Sequence, residues 1–426
     1  MGDTRFAAAA RFMTSAATPS PASRLTEPTT LRRLVALSLC VVVAGSSTPI
    51  PLYPIYRSQL QLDAFTMTVI FIVYVGAVLG ALLLAPSLLR RLRNAYRLLL
   101  PGLGLAALGA LLIAAEQGLA WLIVGRVLAG LGTGVVTTSA NALMIELAPK
   151  GDVRHAAMVS TLSFGAGSAA GPIVSGVLLQ LGWWPLVLPF VAVALAAVAG
   201  IAVLARQWRA YPGAAPGEIG ARPSVAGAAP SPPKGDAAPI PWRVFFLCAT
   251  VILTGWGLGA SLMALGPYFG EALLGIDNYA VSGYAVSALV LGGTISQWFH
   301  RRASVRPALI RGCFVMALGL LCQGAGALGH WPWVVVLGML VTAIGQGGAL
   351  SCAAALLQQS APPAHRARLV SWFYVAGYLG NLSPLLLGAI SDTWSPGVAV
   401  GGFVLVCASL LCLVGWRVWR DARAPG

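Results

Sequence analysis

One arginine stands where a charge is hardest to keep. Arg126 falls in the apolar run 120–147, about five residues inside its start and so about 7 Å deep at about 1.5 Å per residue. A guanidinium in hydrocarbon is costly unless it is paired or reaches water. Pro49, Pro51 and Pro54 interrupt the run 33–56 and strip the helical donors from the carbonyls of Gly45, Ser47 and Ile50. An arginine offers five donors in a fork, enough to satisfy such a broken end. Two readings stay open: Arg126 caps that break or snorkels outward, or it also modulates proton or substrate access in a cavity.

Other polar and aromatic residues fall near the centres of apolar runs: Tyr74, Trp256, Gln346, Tyr378 and Asn381, with Ser47 and Thr48 beside the proline break. Amides and hydroxyls in hydrocarbon need partners. Neighbouring helices could supply them, or a cavity holding water or a solute; these seven are the candidate cavity residues. No Asp or Glu lies in the middle of any run. Asp63 and Asp392 at outer ends and Glu146 at an inner end are either solvated termini or proton or gate acids. Catalysis has no constellation to run on: no nucleophile beside a base and no phosphate-cradling loop. The seven Cys lie in apolar runs without metal-type spacing and read as small buried hydrophobes, and the four His form no ligand pair. No cofactor and no metal are expected.

The elements that hold these residues follow from composition. Of 426 residues, 58% are hydrophobic and 9% charged, with mean hydropathy +0.82. A soluble domain carries about 25% charged residues, so a soluble enzyme is excluded. Twelve apolar runs are long enough to span a bilayer: 33–56, 64–88, 97–115, 120–147, 155–180, 185–205, 243–269, 279–299, 306–328, 332–359, 366–391 and 397–417. The expected organisation is a cytoplasmic arm (1–32), a six-helix bundle (33–205), a Pro/Ala/Gly-rich linker (206–242), a second six-helix bundle (243–417) and a tail (418–426).

The net charge of +15 would suit nucleic acid if it shared one face. With the N-terminus in the cytoplasm, every Lys and Arg except Arg57 and Arg126 falls on the inner side, including Arg90, Arg91 and Arg93 between runs two and three. This is the positive-inside pattern, so the charge reads as orientation, and both termini are expected inside. A wrong span count would scramble the alternation.

The halves repeat. Gly132-Thr133-Gly134 precedes Ala148-Pro149 as Gly345-Gln346-Gly347 precedes Ala361-Pro362. Pro172 with Gly176 matches Pro384 with Gly388, and Tyr74 stands to Arg90-Arg91 as Tyr284 stands to Arg301-Arg302. A duplicated six-helix unit with a midplane site between the copies is the transporter pattern.

These residues resemble the major facilitator superfamily (MFS) over essentially the whole chain. Arg126 through Gly134 is similar to the family's fourth-helix motif with its buried Arg. Gly167, Gly171, Pro172, Ser175 and Gly176 resemble the fifth-helix motif of its antiporter branches, with Ser175 replacing one Gly. Ser47-Thr48-Pro49-Ile50-Pro51-Leu52-Tyr53-Pro54 is similar to a segment of some bacterial members. The loop between helices two and three departs: its basic residues remain, but the acid that latches the family's cytoplasmic gate is absent, with Arg90 near its place. The resemblance implies an all-α integral membrane fold, twelve transmembrane helices as two six-helix bundles, working by alternating access. The acid-poor, aromatic interior suits a small neutral or amphipathic organic solute, with export favoured, as a monomer in the bacterial inner membrane. Its partners are lipid and solute, not nucleic acid. The alternatives are an uptake permease for a neutral metabolite and a membrane sensor or scaffold that has lost transport.

Overall fold

Lipid offers no hydrogen bonds, so each crossing must satisfy its own backbone. The computed structural model describes residues 28–92, 94–115, 118–148, 152–209, 240–300, 302–362 and 365–423. Among these, the regular structure is helical. The helices are α1 (Pro28–Ser47), a 3₁₀ turn (Ile50–Leu52), α2 (Tyr53–Leu60), α3 (Ala64–Leu92), α4 (Ala95–Ala114), α5 (Leu119–Glu146), α6 (Val153–Leu181) and α7 (Leu188–Arg209). The second half holds α8 (Trp242–Leu274), α9 (Tyr279–His300), α10 (Val305–Leu328), α11 (Pro332–Ser360), α12 (Arg366–Gly380), α13 (Ser383–Thr393) and α14 (Pro396–Arg423). They make twelve candidate spans, since α1 with α2 and α12 with α13 each form one crossing. Arg93, residues 1–27, the linker residues 210–239 and residues 424–426 lie outside the described residues.

Local chemistry sets the ends. Asn94 accepts from the Tyr96 amide at 2.9 Å to open α4, and Asp152 accepts from the His155 amide at 3.0 Å to open α6. Gly182 (φ 68°) closes α6 in the left-handed region, where a Cβ would be strained. Exposed Trp121, Trp183, Trp184, Trp331, Trp333 and Trp394 ring one end of the molecule, and Trp242, Trp298, Trp416 and Trp419 the other. That is the double aromatic belt of a membrane slab. The first end, with Asp63, Glu271 and Asp392, is called the acidic end below. The other, with Arg91, Arg302, Arg366 and Arg417, is the basic end.

Each half has its own core. Leu39, Leu99, Leu103, Leu143 and Phe190 centre the first, and Cys248, Cys313, Met316, Leu357 and Leu411 the second. Burial of Cys248, Cys313, Cys352 and Cys407 fits their reading as small hydrophobes. A smaller cluster joins Phe71 of α3, Leu265 of α8 and Leu387 of α13 across the halves.

The sequence repeat marks where backbones touch. A Cβ on Gly132 of α5 would lie 2.7 Å from the Gly102 carbonyl of α4, and one on Gly345 of α11 would lie 2.8 Å from the Gly312 carbonyl of α10. Gly134 meets the Val78 carbonyl of α3 at 2.7 Å, as Gly347 meets the Gly293 carbonyl of α9 at 2.5 Å. The same register therefore welds three helices in each half. The fifth-helix motif faces two ways. Gly167 and Gly171 sit on α1, against the Cys40 and Ala44 carbonyls, while a Cβ on Gly176 would lie 2.9 Å from the Tyr284 ring of α9, in the other half. Its repeat partner Gly388 crosses in the same manner: a Cβ there would lie 3.1 Å from the Ala64 carbonyl of α3.

These contacts predict unequal glycines. Gly171→Ala forces a Cβ onto the Ala44 carbonyl and should lower stability by about 1–3 kcal/mol. Gly104→Ala, on α4 with open space where its Cβ would go, should be neutral or gain up to about 1 kcal/mol from helix propensity. Thermal midpoints in detergent read both; equal midpoints would refute the contact.

Candidate functional site

The first span breaks where the prolines cluster. Residue Ser47 ends α1, the 3₁₀ turn follows Pro49, and α2 restarts at Tyr53. Arg126 of α5 points into this break and is 1% exposed. Its Nη1 donates to the Ser46 carbonyl at 2.8 Å, and its guanidinium carbon lies 4.2 Å from the centroid of the Tyr74 ring. So the broken helix end does engage the arginine, through Ser46 rather than Gly45, Ser47 or Ile50. Since α5 begins at Leu119, Arg126 sits about 10 Å in at about 1.5 Å per residue.

Ser47 and Thr48 bond back to their own helix. Both are buried, and their hydroxyls donate to the Ala44 carbonyl at 3.1 and 2.8 Å. They finish α1 beneath Gly171 of α6. Pro172 lies within α6, where Ser175 donates to the Gly171 carbonyl at 2.9 Å.

The second half assembles four of the expected residues on facing helices. Gln346 of α11 donates through its amide nitrogen to the Gly255 carbonyl of α8 at 2.9 Å. Trp256, next along α8, meets Tyr378 of α12 edge-on at 5.1 Å between centroids and Tyr374 at 6.3 Å. Tyr74 of the first half lies within electrostatic range of the Tyr378 hydroxyl. Asn381 sits at the α12–α13 break, its backbone amide bonded to the Tyr378 carbonyl at 3.1 Å. Beyond the break, Ser383 donates to the Gly257 carbonyl at 2.9 Å and shares a 2.8 Å hydrogen bond with Ser261. Sequence reading missed Tyr374, Ser261 and Ser383, and it missed the Asn141–Ser160 hydrogen bond between α5 and α6. Trp256 and Tyr378 were the available signal for Tyr374, which lies one helical turn from Tyr378.

The halves are joined toward the acidic end. Tyr284 of α9 donates to Gln180 of α6 at 2.9 Å, and Ser287 donates to the Ala169 carbonyl at 2.9 Å. The Arg57 guanidinium lies 4.5 Å from the Tyr268 ring centroid. Asp392 reaches across from α13 and accepts from the Ala64 and Phe65 amides at 3.3 and 2.8 Å. Asp63 accepts from the Thr66 amide at 2.8 Å, and its carbonyl takes the Met67 amide at 3.2 Å. The orphan amides of Ala64, Phe65 and Thr66 at the α3 start are thus satisfied, two of them by the opposite half. Hydrogen bonds from the Thr66 side chain and then its backbone hold the Asp63 carboxyl below the usual carboxylate range. A lowered folded pKa means its capping contribution is present above the ordinary carboxylate range and fades as pH falls through the lowered value.

Toward the basic end the described residues show fewer contacts between the halves. Neither α11 nor α12 packs against a first-half helix among the described residues. Leu83 and Leu84 on the inner part of α3 are 71% and 70% exposed. Glu146 and Arg91 are exposed here and Arg90 lies on α3. Among the described residues the ion pair is Arg243–Asp421 at 3.8 Å, so no carboxylate pairs with Arg126.

Solved structures share this architecture. A bacterial homolog of the human lysosomal transporter Spinster, inward-facing and unoccupied, superposes with TM-score 0.66 at 12% identity, covering 96% of this chain and all (100%) of that one. The peptide transporter POT gives TM-score 0.72 at 14% identity over 92% of this chain and 94% of its own. The nucleoside transporter NupG gives 0.65 at 14% over 93% and 99%. At such identities the likeness is one of fold. No curated protein sequence matches the chain. The family model described as Major Facilitator Superfamily matches residues 35–384, most of the two bundles, and the chain belongs to the Major Facilitator Superfamily.

Proposed function

We propose that this chain is a secondary transporter that moves a small amphipathic organic solute across the inner membrane, outward in preference, by rocking its two halves about a midplane site. The observation that carries this reading is the cluster of Trp256, Gln346, Tyr374 and Tyr378 in the second half and Tyr74 on Arg126 in the first, with the hydrogen bonds between the halves gathered, among the described residues, toward the acidic end. Aromatic faces and one or two amides, without a carboxylate, suit an apolar body with limited polarity. The positive-inside pattern makes the basic end cytoplasmic, with both termini there, so this conformation is closed outward and open inward. Asp392 then acts as an outer latch: its carboxylate on the α3 start must let go before the outside can open. Asp63 stays with its own helix and keeps α3 capped in either state, and Glu146, at the inner end of α5, takes no part in the latch. The fifth-helix glycines serve as the pivot, since Gly167 and Gly171 hold α6 to α1 while Gly176 bears on α9.

Proteoliposomes test the reading. Trp256→Ala and Gln346→Ala should lower flux of a transported aromatic amphiphile at least about tenfold, with thermal midpoints kept within a few degrees. Absence of flux for every member of a broad solute library, with and without a pH gradient, would instead favour the sensor. The latch has its own measurement. An Asp cap is worth about 0.5–2 kcal/mol, so Asp392→Ala should speed hydrogen exchange in the segment 64–66 by about two- to thirtyfold. Unchanged exchange there would remove Asp392 from the gate.

A further inference from the structure

Two buried donors stand at the α1 break. Arg126 is 1% exposed and Tyr53 is 2% exposed. Among the described residues the Arg126 Nε–H and the Tyr53 hydroxyl have no hydrogen-bond partner. Tyr53 opens α2 directly after the break whose Ser46 carbonyl Arg126 holds, and Tyr74 covers one face of the guanidinium. The guanidinium is already engaged at two places, its Nη1 by the Ser46 carbonyl and one face by the Tyr74 ring. Its Nε edge is what remains. A guanidinium keeps its charge inside proteins, and no carboxylate of the described residues pairs with this one. A break that needed only a carbonyl satisfied would be served by one neutral donor. Here a full charge with an unspent N–H stands at the α1 side of the break, and an unspent O–H opens α2 at its other side.

We propose that Arg126 and Tyr53 form the head-group site for a single carboxylate carried by the transported solute. One carboxylate oxygen takes the Arg126 Nε–H and the other the Tyr53 O–H, both charge-assisted bonds of the strong kind. Tyr74, half-buried in the layer between the halves, is the cover that turns aside to admit the carboxylate. The solute's apolar body then lies along Tyr74 toward Tyr378 and Trp256. This rests on the transporter reading above and narrows its solute to a monoanionic amphiphile.

The test uses the purified full chain with a matched pair, 4-phenylbutanoate and 4-phenylbutanamide, with sodium chloride and sodium phosphate as inorganic arms. Binding is read as the rise in thermal midpoint with concentration, and transport as flux into proteoliposomes. The carboxylate should bind at least about tenfold more tightly than the amide. Tyr53→Phe should cut that preference about three- to tenfold and leave the ligand-free midpoint unchanged or higher, because the lost hydroxyl holds nothing in the free protein. Arg126→Gln should abolish the preference, and Arg126→Lys should keep part of it. The assignment falls if Tyr53→Phe keeps the full preference or lowers the ligand-free midpoint. It falls equally if chloride or phosphate stabilises as well as the carboxylate, which would make the site one for a structural inorganic ion. Equal flux of acid and amide overturns the carboxylate and leaves the transporter standing. No binding and no flux of either overturns the amphiphile reading with it.

Discussion

The structure depends on the fact that hydrocarbon satisfies no backbone hydrogen bond. A helix can cross lipid unaided, but a broken one needs protein around the break. The described residues hold two mid-span breaks, at 47–53 and 380–383, and each is wrapped by the groups that make the site. At the first, Arg126 bonds the Ser46 carbonyl and Ser47 and Thr48 fold back on Ala44. At the second, Ser383 and Ser261 bond each other and Ser383 bonds the Gly257 carbonyl. Polar side chains stand at these depths because irregular backbone does, and irregular backbone at membrane depth belongs where protein or a cavity surrounds it.

The duplicated glycines then decide which contacts are permanent. Within a half, Gly132 and Gly134, or Gly345 and Gly347, bring backbones together more closely than any side chain would permit. Such contacts do not slide. Between the halves there are hydrogen bonds, each worth about 0.5–1.5 kcal/mol net, one cation–π contact and small-residue seams at Gly176 and Gly388. Rigid units joined by a breakable seam are what rocking requires.

The sequence made much of this legible. Run length and the charge alternation found every span, because both record the solvent directly. The prolines at 49, 51 and 54 located the first break and its arginine, missing only which carbonyl responds, since a 3₁₀ turn rather than a simple stop follows α1. The second break escaped, although Pro384 leaves the Gly380 carbonyl without its helical donor, the same signal read correctly in the first half. Depth alone did not reveal that the Ser47 and Thr48 hydroxyls bond back to their own helix, because periodicity shows how deep a residue lies but not which partner its hydroxyl finds. Asp392 could be placed at an end, but its bonds to Ala64 and Phe65 join residues more than 300 positions apart, and no local pattern encodes that.

The acid missing from the helix two–three loop now has a physical counterpart. The family resemblance implies a carboxylate latching the cytoplasmic side; in this chain that loop is basic, and among the described residues α11 and α12 have no more than marginal contact with the first half. A carboxylate bearing on a helix start occurs instead at the opposite end, where Asp392 of one half meets the first amides of α3 in the other. Anions are stabilised at helix N-termini by the unpaired amides and the aligned peptide dipoles together. That contact ties the two halves together at the end opposite the one where the family resemblance implies a latch.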